Sequence, residues 1–504
     1  MKKAKRILVL FLAVLMLTSL LPGCSTSTTQ PEQSAQTGES TQPTASGLEY
    51  VKLTWYYRSD SYPEQQEVFD AFNAILLEKI NTEIDFIPIA PSDYEQKMQT
   101  KYAAGNAGDL NYTASWTNNY NNNVSKGAFC SLEDLLKTYA PETYGYFTAD
   151  QWNAMRINGE IYGVPNAQVF THSSNLIVRK DIADKYDFDV SAVTSFVDLE
   201  PLLAQTSAND GMVYELYGAY GGGFMNLKYA YGFDDLQGCF GIRYDDPTLT
   251  ALCMFNTDEF ADYCHIIKGW ADNGYIAADA LVLTEQSTDK MAGKIAAAIG
   301  GTYQPNNEAQ EALAYGDGVE VYQTLLGESI LTTSGFTATI TAIPASSQYP
   351  ERAMMVINLM NTDAELFNLI SFGIEGQHYT KNDDGTITLI NTDKYMGLPW
   401  MMGNTFLSYT MEGKPLDFND GIVELNNTAT PSQALGFTFD STPVKTQLAQ
   451  VQTVIDEYYP SLNCGAVDDV DAAIATFLEK LEAAGSSEIV AEMQSQLTAW
   501  SASK

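Results

Sequence analysis

From residue 50 the chain alternates short apolar runs with amphipathic stretches. Tyr50–Tyr57 (YVKLTWYY) is rich in β-formers and reads as a strand. Pro63 then opens a stretch in which Val68, Phe69, Phe72, Ile75, Leu76 and Ile80 recur at helical spacing. Ile84–Ile89 (IDFIPI) is a second strand and Tyr94–Ala104 a second helix, ended by Gly105 to Gly108 before Asp109. Strand, helix, strand, helix predicts a mostly parallel sheet with helical crossovers. The theme returns in Leu176–Val178, in Ile295–Ile299 closed by Gly300-Gly301, and in Ile340–Pro344 ahead of a helix from Tyr349 to Leu359. Thr380–Ile390 reads as a hairpin turning at Asp384-Gly385, and Asp469–Trp500 as a helical tail broken at Gly485. No repeat of fixed period is visible, and nothing after residue 24 is apolar enough to span a membrane.

The first segment bears on the compartment. Lys2, Lys3, Lys5 and Arg6 precede an apolar run from Ile7 to Met16, which extends weakly to Leu21 and ends in Pro-Gly-Cys. This is the layout of a secretory signal. Leu21-Pro22-Gly23-Cys24 resembles the lipobox of bacterial lipoproteins, in which the chain is cut before the cysteine and the thiol is acylated. An ordinary signal peptide that happens to hold a cysteine is the other reading. Residues 25–47 are rich in Ser, Thr, Gln and Pro and nearly without apolar content, which predicts a flexible tether. The expectation is a signal peptide over 1–23, a lipid-anchored tether over 24–47, and a globular body from about Leu48.

Composition narrows the function classes. Hydrophobic residues make up 45% of the 504 and aromatic ones 12%, so a large core is certain. The formal charge is −36, from 27 basic and 63 acidic side chains; four of the basic ones and none of the acidic ones precede Cys24. Such a surface repels nucleic acid and anionic lipid. Cys130, Cys239, Cys253, Cys264 and Cys464 are scattered and odd in number, which suits small buried side chains better than a disulfide framework. The three histidines (His172, His265, His378) are far apart and no Cys or His spacing suggests a metal site, although carboxylates alone can hold calcium; no cofactor is expected.

Several stretches then carry a likeness. These include Ala103–Asp109 (AAGNAGD), Lys126–Phe129 with Leu132–Leu135, Asn158–Pro165 (NGEIYGVP), and Val178–Asp181. More specific are Tyr349–Ala353 with Leu359–Asn361, Phe372–Tyr379 (FGIEGQHY), Met402–Phe406, Gly436–Asp440, and the ending from Leu481 to Gly485 with Gln494, Gln496, Leu497 and Trp500. In this order they resemble the family-1 extracellular solute-binding proteins of ABC importers, and within them the LipO-like lipoproteins. Gln377 departs from the lysine usual at that position. The resemblance implies an α/β, type II periplasmic-binding-protein-like clamshell of two lobes with a helical C-terminal extension. It places lobe one at 48–170 and 332–379 and lobe two at 171–331 and 380–504. It further implies a monomer held at the outer face of the membrane through Cys24, carbohydrate as cargo, hinge closure on it, and an ABC permease as partner.

The residues are compatible with sugar, which needs flat aromatic platforms and planar side chains that both donate and accept. The loop Ser115–Asn123 offers Trp116, Asn118 and Asn119 together; a solvated loop anchored by a buried Trp is the bland alternative. Tyr57 and Arg58 end the first strand, where α/β sheets place ligands, although Arg58 could instead pair with Asp60. Tyr303, after Gly300-Gly301, matches the place of a stacking aromatic in sugar-binding relatives. Trp400 and Asn404 form a further candidate pair, with a core Trp as the alternative. Glu375, His378 and Tyr379 could simply lock the lobe junction, Asp109 could be a cap, and His172 lies near the first lobe crossing.

Two rival classes stay open on sequence alone. A secreted glycoside hydrolase needs two facing carboxylates, which 63 acidic residues cannot exclude, although no hydrolase signature is present. A peptide-binding importer protein would want strand edges and charges for peptide termini.

Overall fold

The computed structural model describes residues 47–218 and 221–502. The signal segment, most of the tether and Cys24 lie outside the described residues. In chain order the elements that place the site are β1 (Val51–Arg58), α1 (Gln65–Ile80), β2 (Thr82–Ile89), α2 (Tyr94–Ala104), β3 (Leu110–Thr113) and α3 (Tyr120–Ser125). They continue with β4 (Gly163–Pro165), β5 (Thr171–Arg179), β6 (Val213–Tyr214), β7 (Ile295–Ile299), β8 (Val321–Leu331) and β9 (Ile340–Ala342). After these come α4 (Pro350–Thr362), α5 (Ala364–Phe372), β10 (Tyr379–Lys381), β11 (Ile387–Leu389), α6 (Phe418–Thr428) and β12 (Thr430–Pro431). The chain ends with α7 (Lys445–Asn463), α8 (Val470–Ala483) and α9 (Ser486–Ser501).

Two five-stranded sheets result, ordered β2-β1-β3-β9-β4 and β12-β8-β5-β7-β6. Both are mixed, which corrects the expectation of mostly parallel strands. Strands β1, β2 and β3 pair in parallel because α1 and α2 return the chain across the sheet. Strand β9 instead arrives from the other lobe and pairs antiparallel with both β3 and β4. In the second sheet β5 pairs antiparallel with β7 and β8. No short βαβ unit joins those neighbours, so nothing forces them parallel. The β5–β8 register shifts between Leu326 and Ile330, where Gly327 takes φ 71°. A Cβ there would sit 2.8 Å from the Ala230 Cα, so the close approach requires glycine.

Each sheet has its own core. The first gathers Leu53, Trp55, Phe72, Leu110, Tyr112, Ile340 and Met354. The second gathers Leu176, Phe224, Ile242, Tyr263, Trp270 and Ala297, and α7 to α9 pack onto it through Ile455, Tyr459, Phe477, Leu481 and Leu497. The chain runs from the first sheet to the second between Pro165 and Thr171, and returns between Leu331 and Ile340.

The last passage falls later than Tyr379. Tyr395, Met401 and Met402 are buried in the first core, and the Tyr395 hydroxyl donates to the Ile370 carbonyl at 2.6 Å. The segment 380–402 therefore packs with the first lobe. It lacks the periodicity that would have revealed its partner, so its allegiance is set by contacts distant in sequence. Two asparagines tie the crossings. Asn166 donates to the Met401 carbonyl (2.6 Å) and accepts from the Gly403 N–H (3.1 Å), while Asn426 accepts from the Phe170 N–H and donates to the Gln168 carbonyl, both at 2.8 Å. The five body cysteines are free thiols, four of them buried. No helix among the described residues is long and apolar enough to cross a membrane.

Candidate functional site

Strands β1 and β3 run parallel and end side by side, so Arg58 and the loop after Thr113 meet at one edge of the first sheet. The loop is held by the Ser115 N–H to the Thr337 carbonyl (2.7 Å) and by the Ala114 N–H to the Thr117 carbonyl (3.1 Å). Trp116 donates its indole N–H to the Ala338 carbonyl at 2.8 Å. Its polar edge is thus anchored, yet the residue is 54% exposed. An indole held by its one donor and left open to solvent is a platform.

Trp400, brought by the segment after β11, joins it with ring centroids 6.4 Å apart at 38°. The buried Tyr112 ring stands edge-on to both, 6.3 Å from Trp116 and 6.0 Å from Trp400. The Arg58 guanidinium carbon lies 5.1 Å from the centre of the Trp116 ring. Among the described residues Arg58 forms no ion pair with Asp60, and its buried Nε has no partner.

Cavities open on two sides of this row. One of about 630 Å³ is lined by Trp400, Gln168, Ser371, Tyr409 and Lys414 and, from the second lobe, by Gln304 and Asn307. The other, of about 220 Å³, is lined by Ser115, Asn119, Asn121 and Asn122, by Asp234 and Asp235 of the second lobe, and by Thr333 and Ser334 of the connection. Both lie between the lobes. Ser371 Oγ and Asn307 Oδ1 at the larger cavity, Asn121 Oδ1 at the smaller, and the hydroxyl of Tyr112, whose ring packs against both tryptophans, are buried without a partner. Each such atom costs about 1–3 kcal/mol unless something pairs with it, so those that line the cavities are available to polar ligand groups.

Charged groups at the cleft are perturbed by burial. Desolvation raises Asp234 to about 7, against the lowering effect of the Ser432 hydroxyl that donates to it. Desolvation lowers His172 to about 4. Desolvation also brings Lys414 down to about 8, with Glu311 opposing the shift, and the Lys414 Nζ lies 3.8 Å from the centre of the Phe418 ring. Among the described residues no cluster of His, Cys, Asp and Glu could hold a metal ion.

Several candidates are committed elsewhere. Asp109 accepts from the Thr54 N–H (2.9 Å) and the Ser347 hydroxyl (2.6 Å), four residues back from Arg58 along the strand pair. Asn118 is fully buried in the left-handed region (φ 44°) and donates to Tyr102 OH and the Tyr112 carbonyl. Asn119 caps α3 through the Asn122 N–H, although it also borders the smaller cavity. Asn404 is buried and bonds the Phe406 N–H and the Asn361 carbonyl. Glu375 is exposed and pairs with Lys381 at 2.8 Å. His378 is buried, accepting the Ile374 N–H on Nδ1 (3.0 Å) and holding Glu64 with Nε2 (3.2 Å). In this structure these side chains bond backbone and neighbouring groups, and an Asn or His that satisfies backbone is indistinguishable in sequence from one that touches a ligand.

Tyr57 is a core side chain, edge-on to Phe86, that borders a small recess beside Tyr395. His172 stacks on Tyr229 with centroids 4.8 Å apart and places Nε2 3.1 Å from the Ser334 hydroxyl. Tyr303 donates its N–H to the Ser173 hydroxyl (3.0 Å), next to the cavity-lining Gln304. Sequence reading missed Tyr112, Ser371, Asn307 and Lys414. Only Tyr112, four residues before Trp116 at the end of a strand, carried a local signal.

Comparison with known proteins agrees with this architecture. The family model described as "Bacterial extracellular solute-binding protein" matches residues 67–370, and a domain of unknown function matches 433–502. A carbohydrate ABC transporter substrate-binding protein of Streptococcus pneumoniae is 26% identical over 470 residues, covering 91% of this chain and 93% of that protein. A polygalacturonan/rhamnogalacturonan-binding protein of Bacillus subtilis is 23% identical and covers 75% of each. The crystal structure of an N-glycan transport solute-binding protein from S. pneumoniae has the same fold, with a TM-score of 0.76 at 24% identity over 88% of this chain and 98% of that one.

Proposed function

The chain belongs to the bacterial extracellular solute-binding proteins, and from that premise we propose that it captures an oligosaccharide between its lobes and delivers it to an ABC permease. The observation that carries the cargo class is the exposed Trp116 facing Trp400 beside the unpartnered Arg58. Sugar rings present C–H faces that stack on indoles and a rim of hydroxyls that needs planar donors and acceptors. The first lobe supplies the platform and Arg58, while the second lobe brings Gln304, Asn307 and, beside them, Tyr303. The carbohydrate cargo of the pneumococcal relative is consistent with this reading.

Capture is non-covalent and needs no cofactor. Ligand settles on the open platform, the lobes turn about the connections at 165–171 and 331–340 and the later passage to β12, and closure supplies the second set of polar groups. Release to a permease requires moderate affinity, so micromolar binding (about −8 kcal/mol) is expected. The protein acts as a monomer held at the outer membrane face by lipid at Cys24.

The test is a thermal-shift screen of residues 48–504 against mono- and oligosaccharides and short peptides. A ligand that binds only the folded state raises the midpoint by mass action. A shift with one oligosaccharide series, with no products on chromatography, is the expected result. Shifts with peptides alone would sink the proposal, and cleavage products would replace it with a hydrolase.

A further inference from the structure

In a chain of formal charge −36, cations are scarce and mostly committed to carboxylates, as in Lys79–Asp363 (2.8 Å), Arg156–Glu133 (2.6 Å) and Lys290–Glu215 (2.9 Å). Two that are not so committed stand at the cleft. Arg58 lies over Trp116 with its Nε buried and unpartnered, and among the described residues its guanidinium takes part in no hydrogen bond or ion pair. Lys414 lines the same cavity as Trp400, and its ammonium likewise has no hydrogen-bond or ion-pair partner among the described residues. The carboxylate nearest it in effect is Glu311 of the second lobe, which instead accepts from the Asn307 amide at 3.0 Å.

We propose that the cleft is built for an acidic glycan, a saccharide bearing a uronate or sialate carboxylate, with Lys414 taking that carboxylate and Arg58 completing the polar rim beside the aromatic row. The inference rests on the carbohydrate reading above and deepens it. A partly desolvated ammonium without a counter-ion is unfavourable in the empty protein and becomes favourable when a ligand supplies the charge. The environment makes this selective. The acidic body repels anions at long range, so an anionic sugar binds only where local cations are left free for it. A site for neutral sugar has less need of an unpaired lysine, because hydroxyls are served without the cost of a desolvated charge by the amides of Gln168, Gln304 and Asn307 that line the same cavity.

The experiment is calorimetry on the purified body with matched pairs: oligogalacturonides, oligoglucuronates and sialyllactose, each against its carboxyl-reduced neutral counterpart. The expected result is that at least one acidic member binds on the order of tenfold more tightly than its neutral partner. Lys414→Gln should bring that ratio to within about twofold while Lys414→Arg preserves it, with melting midpoints no lower than the wild type's showing that both variants fold. Neutral members binding as well as or better than acidic ones would overturn the inference and leave carbohydrate capture standing. So would an acidic preference that survives Lys414→Gln. Silence from every saccharide, acidic and neutral, would bring down the carbohydrate reading and this inference with it.

Discussion

Arg58 holds its guanidinium carbon 5.1 Å from the centre of the Trp116 ring, joining the end of β1 to the loop after β3. The pair makes one composite surface, an indole face with a planar cation beside it. Because Trp116 is 54% exposed, with its N–H held by the Ala338 carbonyl, it contributes little to the core. Trp116→Ala is expected to weaken ligand binding by about 1–3 kcal/mol through lost stacking area. The unfolding free energy from urea titration should stay within about 0.5 kcal/mol of the wild type. Unchanged affinity in calorimetry would remove Trp116 from the site.

Arg58 offers a different trade. Its buried Nε–H lacks a partner, and an unpaired buried donor is costly until something accepts from it. Arg58→Met keeps the stem and removes the guanidinium. The unliganded variant is expected to be more stable than the wild type by about 1 kcal/mol in urea titration and to bind more weakly in calorimetry. A variant that loses both stability and affinity would mean that Arg58 is structural.

His378 should show the reverse. Its ring bridges the turn after α5 to Glu64 ahead of α1, and a Cβ at Gly373 (φ 78°) would meet that ring at 2.4 Å. His378→Ala leaves a hole and an unpaired Ile374 N–H, so a loss of about 2–4 kcal/mol in stability is expected, with ligand affinity in the surviving fold unchanged. Reduced affinity without lost stability would restore His378 as a ligand contact.

What was legible in the sequence follows the range of the forces involved. Helix α2 runs from Tyr94 to Ala104 as read, because Gly105 in the left-handed conformation ends it locally. Strand β7 is likewise bounded by its own Gly300. The passage near Tyr379 was misplaced because Tyr395 and Met402 join a core built from residues far away in the chain. Trp116 could be singled out by its loop and neighbours. That Trp400 would lie 6.4 Å from it depends on how two lobe-one segments fold together. The asparagines are ambiguous in sequence for a physical reason: Asn118 and Asn404 spend the same donor and acceptor groups on backbone that a sugar site would offer to hydroxyls. Lys414 carries no local signal, since its meaning comes from what fails to pair with it.

His172, in β5 just past the first connection between the lobes, stacks on Tyr229 and is held neutral by burial, its pKa lowered to about 4. In the unfolded chain it takes a proton near its ordinary value of about 6.5. The unfolded state therefore binds more protons between those values, and stability is lost as pH falls from about 6.5 towards 4. His172→Gln, which can still reach the Ser334 hydroxyl, is expected to reduce this loss when urea unfolding is followed at pH 7 and at pH 5. An equal loss in both proteins would show that the ring is not what responds.

Asp234 carries the opposite sign at the other wall of the cleft. Desolvation lifts its pKa to about 7, against the pull of the Ser432 hydroxyl and Lys228 and with a push from Asp235. In the unfolded chain the carboxyl ionises near 3.8. Between these values the folded protein keeps a proton that the unfolded chain releases, so stability declines as pH rises through this window and levels off above about 7. The full deficit is on the order of 4 kcal/mol for so large a shift in a buried group. Asp234→Asn keeps an oxygen that can accept from Ser432 and has nothing to ionise. It is expected to match the wild type near pH 4 and to surpass it increasingly towards pH 8, measured as the difference in urea-unfolding free energy at each pH. A gap that does not change with pH would mean that Asp234 stays ionised in the folded protein.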